Sequence, residues 1–311
     1  MLNIPGGNLL YAATGTRLWD ASIGLIARVG DDYPHEWLRT FEKKGYDTRG
    51  IRILAEDLDT REFLAYTDPY TRSTSNPISH FARLEIPFPK ALFGYEDHRQ
   101  QFERQPQRTA RSIRPEDIPT DFKHTTTAHF CGMDYLSHSL LPAILRQDGF
   151  TMLTLSPSPG YMTPVFWDKI PSVLTGLDAV LTSEEHLRAL FQGRSVNLNE
   201  MVETIAGYGI RAVVVKRGLK GQLLYETDTK TFWDIPAYAS REVDTTGAGD
   251  AFCGGFLAGL RKTFDPVEAV LYGNVSASFT IEGSGPFYAL DTLPGLPEAR
   301  LNALRQSVRK L

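Results

Sequence analysis

Short apolar runs alternate with amphipathic stretches along much of the chain. Residues 23–29 are mostly apolar and precede Gly30, which predicts a strand and then a turn, whereas residues 35–44 carry apolar side chains at helical spacing. Residues 212–216 are typical of a strand buried on both faces. The same patterns predict strands at residues 61–66, 128–131, 151–155, 179–181, 222–226 and 230–235, and helices at 137–147, 183–191, 199–208, 250–262, 265–280 and 297–309. Strands that alternate with helices indicate a mostly parallel sheet covered on both faces, and we expect one domain across residues 1–311.

The composition is that of a folded globular protein with no global attraction to nucleic acid or membrane. The 311 residues include 33 Lys and Arg against 37 Asp and Glu, a formal net charge of −4. Five arginines between residues 99 and 114 lie among acidic residues without an aromatic ladder, so we interpret them as a solvated surface. Cys131 and Cys253 are too few for a disulfide framework, and no run of about 18 apolar residues predicts a membrane span. We therefore expect a cytoplasmic protein whose partner is a small molecule.

The stretch at residues 244–250, Asp-Thr-Thr-Gly-Ala-Gly-Asp, combines small residues with the start of a predicted helix. Backbone N–H groups at a helix N-terminus bind anions, and Gly247, Ala248 and Gly249 allow a ligand to approach them. Asp250 then occupies the position of a general base that takes a proton from a hydroxyl nucleophile. The structural alternative is a glycine-rich turn capped by Asp244 and Asp250. Glycines at 254, 255 and 259 weaken a helix, which predicts that this helix packs very closely on its neighbours.

The string at residues 244–252 resembles the C-terminal signature of the ribokinase-like (PfkB) carbohydrate kinases. Segments at residues 6–13, 23–32, 181–191 and 216–221 resemble further family elements in the expected order. The resemblance implies an α/β fold, a ribokinase-like three-layer sandwich with a mostly parallel central sheet and a small β lid. We expect lid segments around residues 1–17 and 60–93, with exposed edges through which two subunits could pair as a homodimer.

The resemblance also implies an activity, the ATP-dependent transfer of the γ-phosphoryl group to a hydroxyl of a sugar or nucleoside-like molecule. Asp250 is then the base, and Gly247, Ala248 and Gly249 form the anion hole. Mg²⁺ bridges the phosphates, and Glu185 is the candidate metal residue. On the nucleotide side the resemblance places Asp244, Thr245, Lys216, Gly218, Gly221, Asn274 and Ser278. On the substrate side it places Gly6, Gly7, Tyr11 and Asp32.

Three positions depart from the family pattern. Family members carry a strand with a substrate-binding aspartate ahead of the glycine pair, whereas here the pair lies near residue 1, so either the start is incomplete or an element has been lost. Tyr11 stands where the family has a substrate-binding asparagine. Ser183 and His186 stand at the ends of the family's Asn-x-x-Glu element, where Glu185 either substitutes by a one-residue shift or belongs to an ordinary helix start capped by Ser183. These departures support an alternative function, a catalytically weak or inactive relative that binds nucleotide or sugar as a regulator or scaffold.

Overall fold

The computed structural model describes residues 3–20, 22–68 and 71–311, and within these ranges it contains strands and α-helices in alternation. The strands are β1 Ile23–Val29, β2 Tyr46–Ile53, β3 Ala65–Tyr66, β4 Arg72–Ser73, β5 Thr127–Phe130, β6 Met152–Leu155, β7 Ala179–Ser183, β8 Ala212–Lys216, β9 Gln222–Glu226, β10 Thr231–Ile235 and β11 Arg309–Lys310. The helices are α1 Asn8–Arg17, α2 His35–Lys43, α3 Pro77–Arg83, α4 Arg99–Glu103, α5 Tyr135–Gln147, α6 Ile170–Leu174, α7 Glu184–Leu190, α8 Leu198–Ala206, α9 Ala248–Thr263, α10 Pro266–Thr280 and α11 Leu296–Arg305. In the part of the chain that is described, no helix is long and apolar enough to cross a membrane.

A seven-stranded sheet in the order β11-β10-β9-β8-β7-β6-β5 forms the middle layer. Strands β5 to β8 run parallel to one another, and β9, β10 and β11 follow as antiparallel neighbours. Five of the seven strands therefore run in one direction, as the alternation of strands and helices predicted.

Each face of this sheet carries its own hydrophobic core. Val213 and Val215 of β8 pack into the core with α5, α6, α7 and α8, whereas Ala212 and Val214 pack into the core with α9, α10 and α11. A strand between two helical layers needs apolar side chains on both faces, which explains its uninterrupted apolar composition. The predicted fold, a three-layer α/β sandwich, is confirmed.

Helix α9 is the centre of an unusually close helix cluster. A Cβ atom on Gly254 would lie 1.8 Å from the Ala12 carbonyl oxygen of α1, and one on Gly255 would lie 2.3 Å from the Ser276 Oγ atom of α10. Glycine is therefore required at these positions for the backbones to approach, and the predicted close packing of this helix is confirmed.

Of the two segments expected to form the lid, the first is mostly helical and the second contains a short hairpin. Residues 8–17 form helix α1 against α9, because their small side chains permit that contact, and so this part of the 1–17 segment is corrected from lid to body. The strand predicted at residues 61–66 is confined to Ala65–Tyr66, since Arg61 instead binds Asp59 and two carbonyl oxygens of residues 91 and 93. Strands β3 and β4 pair as a short antiparallel hairpin, while β1 and β2 form a separate parallel pair. Residues 1, 2, 69 and 70 of the predicted lid lie outside the described residues.

Candidate active site

The loop before α9 presents backbone N–H groups to a large cleft. Gly247 adopts φ +75° and occupies the N-cap of the 16-residue helix α9. The Ala248 N–H donates to the Thr245 carbonyl oxygen at 3.3 Å, whereas no described acceptor receives the N–H groups of Gly247 and Gly249. Two N–H groups with no acceptor among the described residues, at the positive end of a helix dipole, can bind an anion.

Tyr11 forms the floor beneath this loop. A Cβ atom on Gly247 would lie 2.1 Å from the Tyr11 Cγ atom, so the ring and the glycine are in direct contact. The ring is buried, and burial together with the nearby carboxylates of Asp244 and Asp250 raises the pKa of the Tyr11 hydroxyl above its ordinary value. The residue predicted to contact substrate therefore also shapes the anion site.

Asp250, in the first turn of α9, lines the same cleft. Burial raises the pKa of its carboxyl to about 6, against the opposing charge of Lys216. A carboxylate with a pKa near the working pH can both accept a proton and release it, which suits a general base.

Lys216 stands at the end of β8 and projects onto the start of α9. Its Nζ atom donates to the Gly249 carbonyl oxygen at 3.1 Å and lies 3.3 Å from the Cys253 Sγ atom. Burial and the charges of Lys216 and Arg72 lower the pKa of His186 to about 4. The Lys216 ammonium, which is fixed by its hydrogen bond to the Gly249 carbonyl oxygen, therefore lies beside the two open N–H groups.

The β3–β4 hairpin covers this loop through residues that the sequence did not single out. The Thr246 hydroxyl donates to the Tyr66 hydroxyl at 3.0 Å. Arg72 is the cross-strand neighbour of Tyr66, and directly opposed side chains in an antiparallel pair point to the same face. Arg72 lines the cleft, and its charge reaches Asp250, as does that of Arg99. Strands of two residues show no periodicity. In the sequence, only the placing of Tyr66 and Arg72 on either side of Asp68 could have indicated a hairpin that contacts Thr246.

The structure distributes the predicted nucleotide residues unevenly. Asp244 and Thr245 line the cleft, and an Asp244 carboxylate oxygen accepts the Thr246 N–H at 3.0 Å, which is the turn-capping contact of the structural alternative. Gly218 and Gly221 form the turn after β8, and a Cβ atom on Gly221 would lie 2.0 Å from a backbone oxygen of β10.

Asn274 and Ser278 are buried, and the protein itself uses their polar atoms. The Asn274 side chain accepts the Tyr238 N–H at 2.9 Å and donates to Gln222 at 2.9 Å and to the Pro236 carbonyl oxygen at 2.7 Å. The Ser278 hydroxyl donates to a carbonyl oxygen one turn earlier and accepts from Arg300 at 2.8 Å. These contacts hold the loop after β10 and helix α11 in place, and a nucleotide-binding role for either side chain stays a prediction.

The predicted substrate residues Gly6, Gly7, Tyr11 and Asp32 line one cavity of about 1830 Å³ together with Asp250. The Asp32 carboxylate accepts the N–H groups of Leu58 and Asp59, both at 3.0 Å, so it also anchors the segment that leads into the lid.

Glu185 does not join the residues that line this cavity. Its side chain is exposed, and the Ser183 hydroxyl accepts the His186 N–H at 3.1 Å as an ordinary N-cap of α7. Within residues 3–20, 22–68 and 71–311, no group of three or more His, Cys, Asp or Glu side chains is arranged to hold a metal. Asp244 and Asp250 are the carboxylates beside the anion loop, which fits Mg²⁺ held mainly by phosphate and water oxygens.

Comparison with known proteins identifies the family of the chain. The family model for pfkB family carbohydrate kinases matches residues 134–293. The cytidine kinase of Thermococcus kodakarensis is 26% identical over 277 residues, which is 88% of this chain and 86% of that protein. The ribokinase of Staphylococcus aureus is 29% identical over 147 residues, 46% of this chain and 45% of that protein. Among solved structures, an E. coli protein described as ribokinase II, in complex with ATP and Mg²⁺, superposes with a TM-score of 0.71 at 20% identity and covers 96% of this chain and 89% of its own.

Proposed function

The chain belongs to the pfkB family of carbohydrate kinases, and we propose that it transfers the γ-phosphoryl group of ATP to a hydroxyl of a sugar or nucleoside. The observation that supports this proposal is the meeting of two open N–H groups, the Lys216 ammonium and the Asp250 carboxylate at one loop. The first three attract the phosphates, and the carboxylate serves the acceptor hydroxyl.

In the proposed reaction the hydroxyl oxygen of the substrate attacks the γ-phosphorus. Asp250 takes the proton of that hydroxyl. A bond forms between that oxygen and phosphorus, the bond between the γ-phosphorus and its bridging oxygen breaks, and ADP leaves with the electron pair. The N–H groups of Gly247 and Gly249 stabilise the charge on the transferring group. Mg²⁺, when bound, offsets charge on the phosphates, and Asp244 is the residue that would hold its water shell.

The β3–β4 hairpin completes this site. Tyr66 binds the anion loop, and Arg72 beside it brings a second cation to the phosphates. Closure of the hairpin excludes water, which limits hydrolysis of ATP in the absence of an acceptor.

We propose a small polyol as the acceptor, because the relatives that match this chain are named as kinases of nucleosides and of sugars. The test measures ADP formation from Mg·ATP with cytidine, adenosine, ribose, fructose and inositol, for the natural protein and for Asp250→Asn. Acceptor-dependent turnover that the variant loses supports the proposal and selects the substrate class. ATP binding without turnover on any acceptor supports the regulator or scaffold instead.

A further inference from the structure

The short helix α4 presents a buried carboxyl group to the cleft. Glu103, its last residue, is 3% exposed, although the arginine-rich stretch around it suggested a solvated surface. Its Oε2 atom accepts the Gly160 N–H at 2.7 Å, whereas its Oε1 atom has no partner among the described residues. Because Oε1 is not fully enclosed, it faces the cavity that Glu103 lines. A carboxyl group is seldom buried unless each oxygen has a partner, which points to a ligand at Oε1.

Contacts with the loop after β6 fix the position of this carboxyl group. Arg104, the next residue, donates from its Nε atom to the Gly160 carbonyl oxygen at 2.6 Å, so two neighbouring side chains bind both polar backbone groups of Gly160. A Cβ atom on Gly160 would lie 2.4 Å from the Glu103 Cβ atom, and a glycine is therefore needed for such a close approach. The Oε1 atom is thus held in one place, as recognition of a ligand atom requires.

Glu103 lies at the carboxyl end of the central sheet, across from Lys216. Gly160 belongs to the loop after β6, Lys216 ends β8, and β7 lies between these two strands. Neighbouring strands are about 4.8 Å apart, so β6 and β8 are roughly 10 Å apart. Ligands of open α/β sheets bind in the crevice at the carboxyl ends of the strands. A molecule whose hydroxyl meets Asp250 can therefore extend along this crevice toward Glu103.

Two charged side chains lie close enough to act on both Asp250 and Glu103. Burial raises the pKa of Asp250 to about 6 and that of Glu103 to about 7, and in both cases the Glu62 carboxylate adds to the shift while Arg99 opposes it. The Arg99 Nη1 and Glu62 Oε1 atoms are 3.7 Å apart, and both residues line the cavity. The proposed base, Glu103 and this ion pair therefore border one region of the cleft.

We propose that Glu103 selects the acceptor by receiving, at Oε1, a hydrogen bond from a donor group at the end of the acceptor remote from the phosphorylated hydroxyl. This inference rests on the proposed function and names a further requirement of its substrate. The donor is a sugar hydroxyl or the exocyclic amine of a nucleobase, since a carboxylate oxygen accepts from either. A molecule without this donor leaves a buried charge unpaired, and a site built in this way rejects it strongly.

The charge of Glu103 supplies a readout that a purely structural role would not. Burial raises its pKa, Glu62 and Asp97 add to this shift, and the Gly160 N–H and Arg99 oppose it, while Tyr161 lies near it in the loop after β6. A donor on the ligand favours the ionised carboxylate. The Kd of the acceptor should therefore rise as the pH falls below about 7.

The first test measures acceptor binding by calorimetry without ATP, with cytidine, adenosine, ribose, fructose and inositol as probes. Glu103→Gln keeps an oxygen for the Gly160 N–H but places an amide donor where Oε1 was. We expect the Kd to rise about 10- to 100-fold in this variant, with no loss of thermal stability. Asp97→Asn is the matched control, because it removes an equal charge from an exposed position nearby. It should change the Kd by less than about 2-fold.

The second test varies the ligand and the pH. Uridine in place of cytidine, or inosine in place of adenosine, removes the exocyclic amine, whereas single-deoxy analogues of the bound acceptor each remove one hydroxyl. We expect one of these analogues to bind the natural protein about 10- to 100-fold more weakly than its parent and to bind Glu103→Gln equally well, which identifies the donor. The Kd for the natural protein should rise by up to about tenfold per pH unit below about 7, and that for Glu103→Gln should not.

Equal Kd values for the natural protein and Glu103→Gln overturn the inference, and so does a natural protein that binds none of the probes. If Glu103→Gln does not fold, the analogues and the pH series on the natural protein decide, because a Kd unaffected by both overturns the inference. Turnover with an unchanged acceptor KM in Glu103→Gln leaves the kinase activity in place and removes Glu103 from acceptor recognition. Binding that depends on Glu103 without any turnover supports this inference and contradicts the proposed function.

Discussion

The Tyr66 hydroxyl, on the two-residue strand β3, accepts a hydrogen bond from the Thr246 hydroxyl at 3.0 Å and so ties the lid hairpin to the anion loop. Tyr66→Phe removes this contact and keeps the ring. A single hydrogen bond contributes about 0.5–1.5 kcal/mol, so we expect kcat/KM to fall about 2- to 10-fold. ATP hydrolysis without acceptor should rise at the same time, because a loosened lid admits water.

The matched control for this substitution is Tyr95→Phe. The Tyr95 hydroxyl accepts the Phe63 N–H at 3.2 Å. Phe63 lies just before β3, and this hydrogen bond does not involve the anion loop. We expect it to leave the ratio of hydrolysis to transfer unchanged. If Tyr66→Phe and Tyr95→Phe change the ratio of ATP hydrolysis to phosphoryl transfer equally, the hydrogen bond between Tyr66 and Thr246 has no particular role in excluding water.

The pH dependence of the reaction should reflect Asp250. Burial raises the pKa of this carboxyl to about 6, so the free enzyme loses its base as the pH falls through that value. We expect kcat/KM to fall tenfold per pH unit below about 6, and Asp250→Asn to lower kcat by about 10²–10⁴ with no such acidic limb. A profile that is flat down to pH 5 would remove Asp250 from the role of base.

The same shift has a consequence for stability. Because the pKa of Asp250 is higher in the folded than in the unfolded chain, folding is favoured by protonation, and this contribution is lost as the pH rises through about 6. Asp250→Asn should therefore stabilise the protein at pH 8, by at most about 3 kcal/mol, and much less at pH 4.5. Thermal unfolding at the two pH values measures this difference, with the exposed Asp168→Asn as control. A variant less stable than the natural protein at pH 8 would contradict the electrostatic argument.

In the proposed site Arg72 is the second cation beside Lys216, since it lines the cleft and its charge reaches Asp250. Charged hydrogen bonds contribute about 1.5–3 kcal/mol, so Arg72→Gln should raise the KM for ATP or lower kcat by about 10- to 100-fold in total, with partial recovery in Arg72→Lys. Arg52→Gln changes an exposed arginine of β2 outside the cavity lining and should leave both constants unaltered. Equal effects of the two glutamine variants would point to net charge rather than to the position of Arg72.

The regular part of the fold was predictable from the sequence because burial on both faces leaves a clear pattern. The bounds of β1 and β8 agree with the apolar runs at 23–29 and 212–216. The start of α9 was predictable too, since the glycines at 247 and 249 precede an amphipathic run, whereas the binding of an anion at this loop stays a prediction.

The remaining features depend on contacts between distant residues. Asn274 looks like a ligand-facing amide in sequence, but Gln222 and the Pro236 carbonyl oxygen hold it inside the protein. The lid hairpin is too short to show periodicity, and so Tyr66 and Arg72 were missed.

Among packing contacts that involve no catalytic side chain, we expect the contact between α1 and α9 to be the one where a larger side chain lowers stability most. In Gly254→Ala the new Cβ atom would lie 1.8 Å from the Ala12 carbonyl oxygen, and a backbone atom in an enclosed helix pair cannot move aside as a flexible side chain can. Overpacking of this kind costs about 1–3 kcal/mol or more, so we expect a lower midpoint in denaturant and a Tm lower by several degrees. Gly207→Ala is the matched control, because Gly207 has φ −58° and a Cβ atom there would meet its nearest neighbour at 3.3 Å. That variant should be neutral or more stable by up to about 1 kcal/mol, since alanine restricts the unfolded chain. Equal midpoints for the two variants would show that α1 moves away from α9 without penalty, and the close packing would then not explain why this helix tolerates so many glycines.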